Sequence, residues 1–203
     1  NELTSDSRRS FMQKSSVGLA GLGALGTLPR AHAAEDNTDI EIKIGLIGCG
    51  GRGTGAMLDA IGAATKVIYP ELGYHTEDVS DDAKIEKKNI KVVALADLFP
   101  DRLTSCHKQL NRLGIEVPAA RRFVGFDAYQ RLLEEDEVNY VILATPPHFR
   151  PQQFKAAVDA GKHVFMEKPC AVDVPGVKMV IDAGASARKK NLGVAAGTQR
   201  RHM

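Results

Sequence analysis

A glycine-dense turn between an apolar segment and a helix-like segment constrains the fold of this chain more than any other feature. The turn spans residues 48–53 (GCGGRG) and follows an apolar run at 40–47. Placed between a strand and a helix, this G-x-G-x-x-G spacing offers the free N–H groups of the helix start to a phosphate group. Gly48 allows the tight turn, Gly50 lets a diphosphate approach the backbone, and Gly53 lets the helix pack closely on the strand. The alternative is a glycine-rich loop without a ligand.

Strand-like and helix-like segments alternate along the rest of the chain. The strand candidates are continuous apolar runs, at residues 40–47, 91–96, 122–124, 140–144, 162–166 and 192–196. The helix candidates lie between them, at 56–64, 101–113, 128–135, 150–160 and 175–190. Continuous apolar strands are typical of sheets buried on both faces, which favours an α/β fold with a doubly wound parallel sheet, the Rossmann arrangement. Residues 65–89 contain Pro70, Gly73 and many charges, and we expect them to form an exposed insertion.

An acidic residue ends the second predicted strand. Asp97 follows the run 91–96, where a carboxylate is placed to accept hydrogen bonds from the hydroxyls of an adenosine ribose. It lies 44 residues beyond Gly53, against about 20 in the usual motif, and the insertion accounts for the difference. A carboxylate repels a 2′-phosphate, so NAD is favoured as the cofactor, while Arg102 keeps NADP open. The alternative is that Asp97 only caps the next helix.

The ends of the fourth and fifth predicted strands carry unusual side chains. The fourth is followed by Thr145, Pro146 and His148, and the fifth by Glu167 and Lys168 before a proline. Open parallel sheets bind their ligands at these carboxyl ends. A lysine beside a nicotinamide ring can orient a substrate hydroxyl, stabilise an alkoxide or pass a proton. The alternative is that Glu167 and Lys168 form a solvated surface pair.

The first 33 residues are similar to an export signal. Arg8 and Arg9 are followed by a glycine-diluted apolar run at 17–28 and then by small residues. This run is shorter than the roughly 20 apolar residues that span a bilayer, so we expect no stable membrane anchor. We interpret residues 1–33 as a removable twin-arginine signal and 34–39 as a linker, which predicts a periplasmic or otherwise exported protein. The alternative is an N-terminal tail that happens to contain two arginines.

The composition of the remaining chain argues against several classes of partner. Residues 1–33 hold four basic and two acidic residues, which accounts for the whole formal net charge of +2. The body is therefore neutral, and we expect no nucleic-acid partner. The chain has 3 cysteines and 6 histidines, without the spacing of a disulfide framework or a zinc site, so we predict no metal.

Three motifs together resemble the Gfo/Idh/MocA family, named after glucose–fructose oxidoreductase and inositol dehydrogenase. They are the glycine turn, Thr145-Pro146 and, most specifically, Glu167-Lys168-Pro169, and the resemblance covers residues 40–203 as the family's N-terminal dinucleotide domain. Membership implies that Lys168 lies near nicotinamide and substrate as the catalytic residue and that Glu167 supports the strand end. The residues that the motifs and the resemblance together place at the cofactor are Gly48, Gly50, Gly51, Arg52, Gly53, Asp97, Thr145, Pro146, His148, Glu167 and Lys168. The chain departs from the family pattern at Pro147 and Arg150, where many members have Asn or Asp and His.

The resemblance also implies a second, α+β domain that supplies most substrate contacts and a catalytic histidine. None of that domain is present in the 203 residues, so we expect a C-terminally truncated fragment that is inactive alone. Arg200, Arg201 and His202 follow the last predicted strand and are candidates for substrate contact or for the domain junction. When full length, the protein is expected to form a homo-oligomer.

The function implied by the resemblance is NAD(P)-dependent hydride transfer to or from a sugar, polyol or related carbohydrate. One alternative is an NAD-dependent glycoside hydrolase, similar to the α-N-acetylgalactosaminidases that oxidise, eliminate, rehydrate and reduce on one bound NAD. A second alternative is a non-catalytic nucleotide-binding protein. The residues present are compatible with all three functions, so the sequence does not distinguish among these functions.

Overall fold

The computed structural model describes residues 40–63, 65–68, 76–80, 83–86 and 89–197. The predicted export signal at 1–33, the linker at 34–39 and the substrate candidates Arg200, Arg201 and His202 lie outside these described residues. The strands are Ile42–Ile47 (β1), Thr65–Ile68 (β2), Thr76–Val79 (β3), Ile90–Asp97 (β4), Arg122–Val124 (β5), Tyr140–Leu143 (β6), His163–Glu167 (β7) and Val194–Gly197 (β8). The α-helices are Gly51–Ala60 (α1), Pro100–Arg112 (α2), Ala128–Leu133 (α3), Arg150–Asp159 (α4) and Val174–Lys189 (α5).

Six of the strands form one sheet in the order β5-β4-β1-β6-β7-β8. Every neighbouring pair in this sheet is parallel. The order runs outward from β1 in both directions, so the first strand is flanked by β4 and β6. This is the doubly wound Rossmann arrangement, which confirms the predicted fold class. The reversal of strand order at β1 opens a crevice at the carboxyl ends of β1 and β6, which is where such sheets bind ligands.

The sheet is covered on both faces, as its continuous apolar strands require. On one face, α1 and α2 bury residues such as Met57 and Leu110 against Leu46 and Leu95. On the other face, the buried side chains of α3, α4 and α5 meet the alternate strand positions, among them Ile47, Val141 and Val164. Within the described ranges, no helix is both long and apolar enough to cross a membrane.

Gly45 in β1 lets α3 approach the sheet closely. A Cβ atom on this glycine would lie 2.6 Å from Leu132 Cδ2 and 3.2 Å from Val138 Cγ1, which is closer than packed carbon atoms tolerate. The hydrophobic pattern of the strand did not indicate this requirement, because the neighbour that imposes it is on a different element.

Two predicted elements differ from the structure. The region expected to be an exposed insertion contains an antiparallel pair, with Thr65 opposite Val79 and Ile68 opposite Thr76. Val79 is only 1% exposed and belongs to the core under α1 and α2, and its N–H donates to Gln109 Oε1 at 3.2 Å. The expectation was wrong because the paired strands are four residues long and have no continuous apolar run.

The first helix also begins earlier than predicted. It starts at Gly51 rather than Ala56, and the N–H of Thr54 already donates to the carbonyl of Gly50 at 2.8 Å. Gly51 and Gly53 of the glycine turn therefore lie in the first turn of α1. This moves the helix start into the glycine motif itself.

Candidate functional site

Packing fixes two of the three motif glycines in the turn after β1. Gly48 has φ +98°, and a Cβ atom on it would lie 2.8 Å from the backbone of Ala144 and Thr145. A Cβ on Gly53 would lie 1.7 Å from the carbonyl oxygen of Gly48. Both positions therefore need glycine for the chain to fold this way, with or without a ligand.

Gly50 differs because it faces open space. The nearest atom to a Cβ built on Gly50 is Arg102 Nη1, at 3.9 Å, and no other atom of the described residues lies within 4 Å. Gly50 is also the N-cap residue of α1, whose first turn contains no acidic side chain. The N–H groups of a first helical turn have no partner within the helix and carry a partial positive charge. This open, positively polarised side of the turn fits a diphosphate.

Asp97, at the end of β4, is bonded to the same turn. Its Oδ2 accepts a hydrogen bond of 2.6 Å from the N–H of Cys49, and its Oδ1 accepts one of 2.9 Å from the N–H of Phe99. The carboxylate is 8% exposed. Phe99, rather than Asp97, is the N-cap residue of α2, and no side chain caps that helix. Asp97 therefore joins the glycine turn to the end of β4.

A cleft of about 630 Å³ lies over the carboxyl ends of β1, β4 and β6. Five of the predicted cofactor residues line it, and these are Gly48, Gly50, Asp97, Thr145 and Pro146. Arg102 also lines it, with its guanidinium 4.9 Å from the ring centre of Phe99. Phe99, Phe126 and Phe149 lie at the wall with 46%, 77% and 40% of their surface exposed, so the cleft offers flat apolar surface as well as polar groups.

Thr145 and His148, after β6, are arranged differently. The hydroxyl of Thr145 donates to Gln153 Oε1 at 2.5 Å, which ties the strand end to α4. His148 is exposed and packs edge-on against Phe149, with 5.2 Å between ring centres, and it is not part of the cleft lining. Gln153 was not among the predicted site residues, although it lines the cleft and lies in the first turn of α4.

The strand end of β7 lies beside this cleft rather than in its wall. Glu167 is 4% exposed, and its Oε1 accepts a hydrogen bond of 2.9 Å from Arg52 Nε in α1. Lys168 is exposed, and its ammonium has no hydrogen bond or ion pair within the described part of the chain. The Lys168–Pro169 peptide bond is cis. Glu167 is thus anchored to the helix of the glycine turn, while Lys168 next to it remains open to solvent.

Arg150 is the residue of this region that the sequence did not single out as a site residue. It begins α4, is 5% exposed, and its Nη1 donates to the carbonyls of Glu167 and Pro169, both at 2.6 Å. Burial lowers the pKa of Arg150, and the nearby Glu167 carboxylate acts in the opposite direction. An arginine directly before a proline at a predicted helix start was the available signal.

The Cys49 thiol lies outside this chemistry. Cys49 and Cys106 are buried, and a hydrogen bond to Cys106 together with burial raises the pKa of Cys49 well above its ordinary value. A thiol of raised pKa in a buried position is unreactive at neutral pH. No group of three metal-ligating side chains occurs among the residues that the structure covers.

Several known proteins are similar to this chain. A glycosyl hydrolase family 109 protein of Shewanella sp. (strain ANA-3) is 29% identical over 189 residues, which is 86% of this chain but 36% of that protein. A family 109 protein of Bacteroides thetaiotaomicron is 28% identical over 149 residues, or 73% of this chain and 26% of that protein. The scyllo-inositol dehydrogenase of Lactobacillus casei, solved with NAD(H) and scyllo-inositol, matches at a TM-score of 0.55 and 23% identity, over 80% of this chain and 38% of that one.

The chain therefore spans only about a quarter to two-fifths of each of these proteins. The profile of the Gfo/Idh/MocA family, described as an oxidoreductase family with an NAD-binding Rossmann fold, matches residues 42–196. That range includes the glycine turn, Asp97, and the ends of β6 and β7. Because the match covers most of the chain, this protein belongs to the Gfo/Idh/MocA oxidoreductase family and contains its NAD-binding Rossmann domain.

Proposed function

We propose that this chain is the cofactor-binding part of an exported NAD-dependent oxidoreductase that acts on a sugar, a polyol or a related carbohydrate. The observation that carries the proposal is the joint position of the glycine turn and the Asp97 carboxylate at one cleft, with the end of β7 beside it. A nicotinamide cofactor bound here supplies the acceptor or donor of hydride.

The chain's own residues would hold the two halves of the cofactor differently. The N–H groups at the start of α1 follow directly on Gly50, beside which the structure is open, and this suits the diphosphate. The Asp97 carboxylate, already oriented by two backbone N–H groups, has lone pairs left to accept from ribose hydroxyls. A fixed carboxylate disfavours a 2′-phosphate, which supports NAD, whereas the Arg102 guanidinium in the same wall is the feature that would favour NADP.

Lys168 is the residue we propose to act on the substrate. It stands at the tip of β7, one strand beyond the end of β6 that lines the cleft, and its ammonium is uncommitted to any described partner. A lysine with this freedom can donate a hydrogen bond to a substrate hydroxyl and return a proton as the ammonium, and it can remove the hydroxyl proton as the neutral amine. Substrate contacts by Arg200, Arg201 and His202, export by residues 1–33, and a homo-oligomeric state of the full-length protein belong to the same proposal.

The test uses the full-length protein, because the chain spans 36% of its Shewanella relative and 38% of the Lactobacillus dehydrogenase. NADH binding is measured by fluorescence, and NADH formation is then measured with a panel of inositols and sugars. Lys168→Ala is expected to keep NADH affinity within about threefold and to lose about 100-fold or more in turnover, the usual effect of losing a proton-transfer group. Lys178→Ala, which removes an exposed lysine on α5, is the matched control.

The names of the curated relatives favour a second candidate, an NAD-dependent glycoside hydrolase. Its signature is release of nitrophenol from nitrophenyl glycosides without added NAD and without net NADH. Release under these conditions, with no oxidation of free sugars, would replace the dehydrogenase proposal. Binding of NADH without either reaction would instead support a non-catalytic nucleotide-binding protein.

A further inference from the structure

One guanidinium nitrogen holds both sides of the turn that carries Lys168. Arg150 Nη1 donates to the carbonyl of Glu167, the residue before Lys168, and to the carbonyl of Pro169, the residue after it. Both distances are 2.6 Å, and the charged donor makes these hydrogen bonds stronger than those between neutral groups. The backbone on either side of Lys168 is therefore fixed to α4.

The position of Arg150 is unfavourable for a cation in three respects. It is 5% exposed, so its charge is largely removed from water. It is the first residue of α4, where the helix dipole is positive and disfavours a cation. Its Nε atom is also buried without a hydrogen-bond partner within the described residues. The compensating groups are the carboxylate of Glu167 and the two carbonyls of the turn. Natural proteins keep such unfavourable arrangements mainly where function needs them.

The side chain of Lys168 has no such restraint of its own. Its ammonium has no hydrogen bond or ion pair within the part of the chain that the structure describes, and the residue is exposed. The location of the ammonium is thus decided by the backbone from which the side chain extends. A group that fixes this backbone controls where the lysine can reach.

We propose that Arg150 is a positioning residue that holds the Glu167–Pro169 turn so that Lys168 extends toward the bound cofactor. This inference rests on the proposed function, because it assumes that a dinucleotide occupies the cleft beside β7. Arg150 acts through the backbone of the turn and itself touches neither substrate nor cofactor.

The experiment measures the accessibility of Lys168 rather than turnover. Full-length protein is acetylated with trace acetic anhydride, with and without NADH, and the modification of Lys168 is quantified by peptide mass spectrometry. NADH at about ten times its Kd leaves about one-tenth of the sites empty, so protection of Lys168 in the wild-type protein is expected to reach about tenfold. NADH affinity is measured on the same samples.

Two variants of Arg150 and one control separate positioning from a general loss of stability. Arg150→Met removes both hydrogen bonds, and Arg150→Lys retains the charge and can restore one of them. Lys162→Met is the control. Lys162 is another buried cation, and its ammonium donates to the carbonyl of Glu135 at 3.0 Å. It lies at the amino-terminal end of β7, whereas Lys168 follows the carboxyl end. If Arg150→Met fails to fold, Arg150→Lys carries the comparison.

We expect NADH to bind all folded variants. Protection of Lys168 should fall below about threefold in Arg150→Met, because a loosened turn no longer holds the lysine against the cofactor. Protection should be intermediate in Arg150→Lys and unchanged in Lys162→Met. Full protection in both Arg150 variants would overturn the inference, as would an equal loss in Lys162→Met. Absence of NADH binding by the wild-type protein would instead overturn the proposed function. Binding without protection in the wild-type protein would overturn the placement of Lys168 and the role of Arg150 with it.

Discussion

The carboxylate of Asp97 accepts a 2.6 Å hydrogen bond from the N–H of Cys49, the second residue of the glycine turn. The proposed ribose-binding group and the proposed diphosphate-binding turn are therefore one connected unit before any ligand binds. A second hydrogen bond, from the N–H of Phe99, fixes the other carboxylate oxygen. Such preorganisation lowers the entropy cost of binding, because the groups need not be ordered by the ligand.

Asp97→Asn should weaken NADH binding and narrow the preference for NADH over NADPH. Hydrogen bonds to a charged acceptor contribute about 1.5–3 kcal/mol, so we expect NADH affinity to fall about 10- to 100-fold. Affinity for NADPH should fall less, because the repulsion of its 2′-phosphate is removed. Fluorescence titration with both dinucleotides checks this, with Asp101→Asn, an exposed acid in the first turn of α2, as the control. An unchanged ratio of the two affinities would show that Asp97 does not select the cofactor.

Alanine at Gly50 and at Gly53 should have separable effects. Gly53→Ala places a Cβ 1.7 Å from Gly48 O, so the turn must move, and we expect a stability loss of about 1–3 kcal/mol or more together with loss of NADH binding. Gly50→Ala meets only Arg102 Nη1 at 3.9 Å, so the protein should fold normally and yet lose NADH affinity. Thermal unfolding and NADH titration on both variants separate the two effects. Normal NADH binding by Gly50→Ala would place the diphosphate elsewhere.

Glu137 should contribute to the pH dependence of stability. Its carboxylate accepts hydrogen bonds from Lys91 and Arg121, which lower its pKa below the ordinary 4.5. Because the pKa is lower in the folded state, the stabilisation is complete above the unfolded-state value and is lost as the pH falls through the folded-state value. Glu137→Gln should therefore lower Tm at pH 7, and its Tm should converge with that of the wild-type protein as the pH falls below the folded-state pKa of Glu137. Parallel Tm curves across this range would contradict the prediction.

Two glycine-to-alanine substitutions away from the cleft should change the free energy of unfolding in opposite directions. Gly45→Ala places a Cβ 2.6 Å from Leu132 Cδ2 under α3, and we expect it to destabilise the fold by about 1–3 kcal/mol. Gly184 lies inside α5 with nothing within 4 Å of a built Cβ, so Gly184→Ala should stabilise by about 0.5–1 kcal/mol through helix propensity. Denaturant unfolding measures both. A stable Gly45→Ala protein would mean that α3 can move away from β1.

The sheet was predictable because each of its six strands contains consecutive apolar residues, and the helices between them separate parallel neighbours. The pair formed by β2 and β3 was not predictable, since its strands are only four residues long, mix polar with apolar residues and pair antiparallel. The glycine turn and Asp97 could be identified because each is a local pattern at a strand end. Their roles as cofactor ligands remain predictions.

The interactions behind the strand end of β7 could not be inferred from local pattern. Arg52 and Glu167 are 115 positions apart, and Arg150 reaches carbonyls 17 and 19 positions away. Hydrophobic periodicity carries no information about which buried charge faces which carbonyl. The family resemblance marked Arg150 only as a departure from a usual histidine, and its environment became evident from the fold.

The contact between Arg52 and Glu167 has a consequence for the stage of synthesis at which the molecule becomes able to bind a dinucleotide. The helix that begins at the glycine turn is tethered to the seventh strand, which the ribosome supplies more than a hundred residues later. A nascent or truncated polypeptide that ends before β7 lacks this tether, however well its first βα unit has formed. Affinity for a dinucleotide should thus appear late in synthesis. Retention on a nucleotide resin would therefore select chains whose sheet is already assembled through β7.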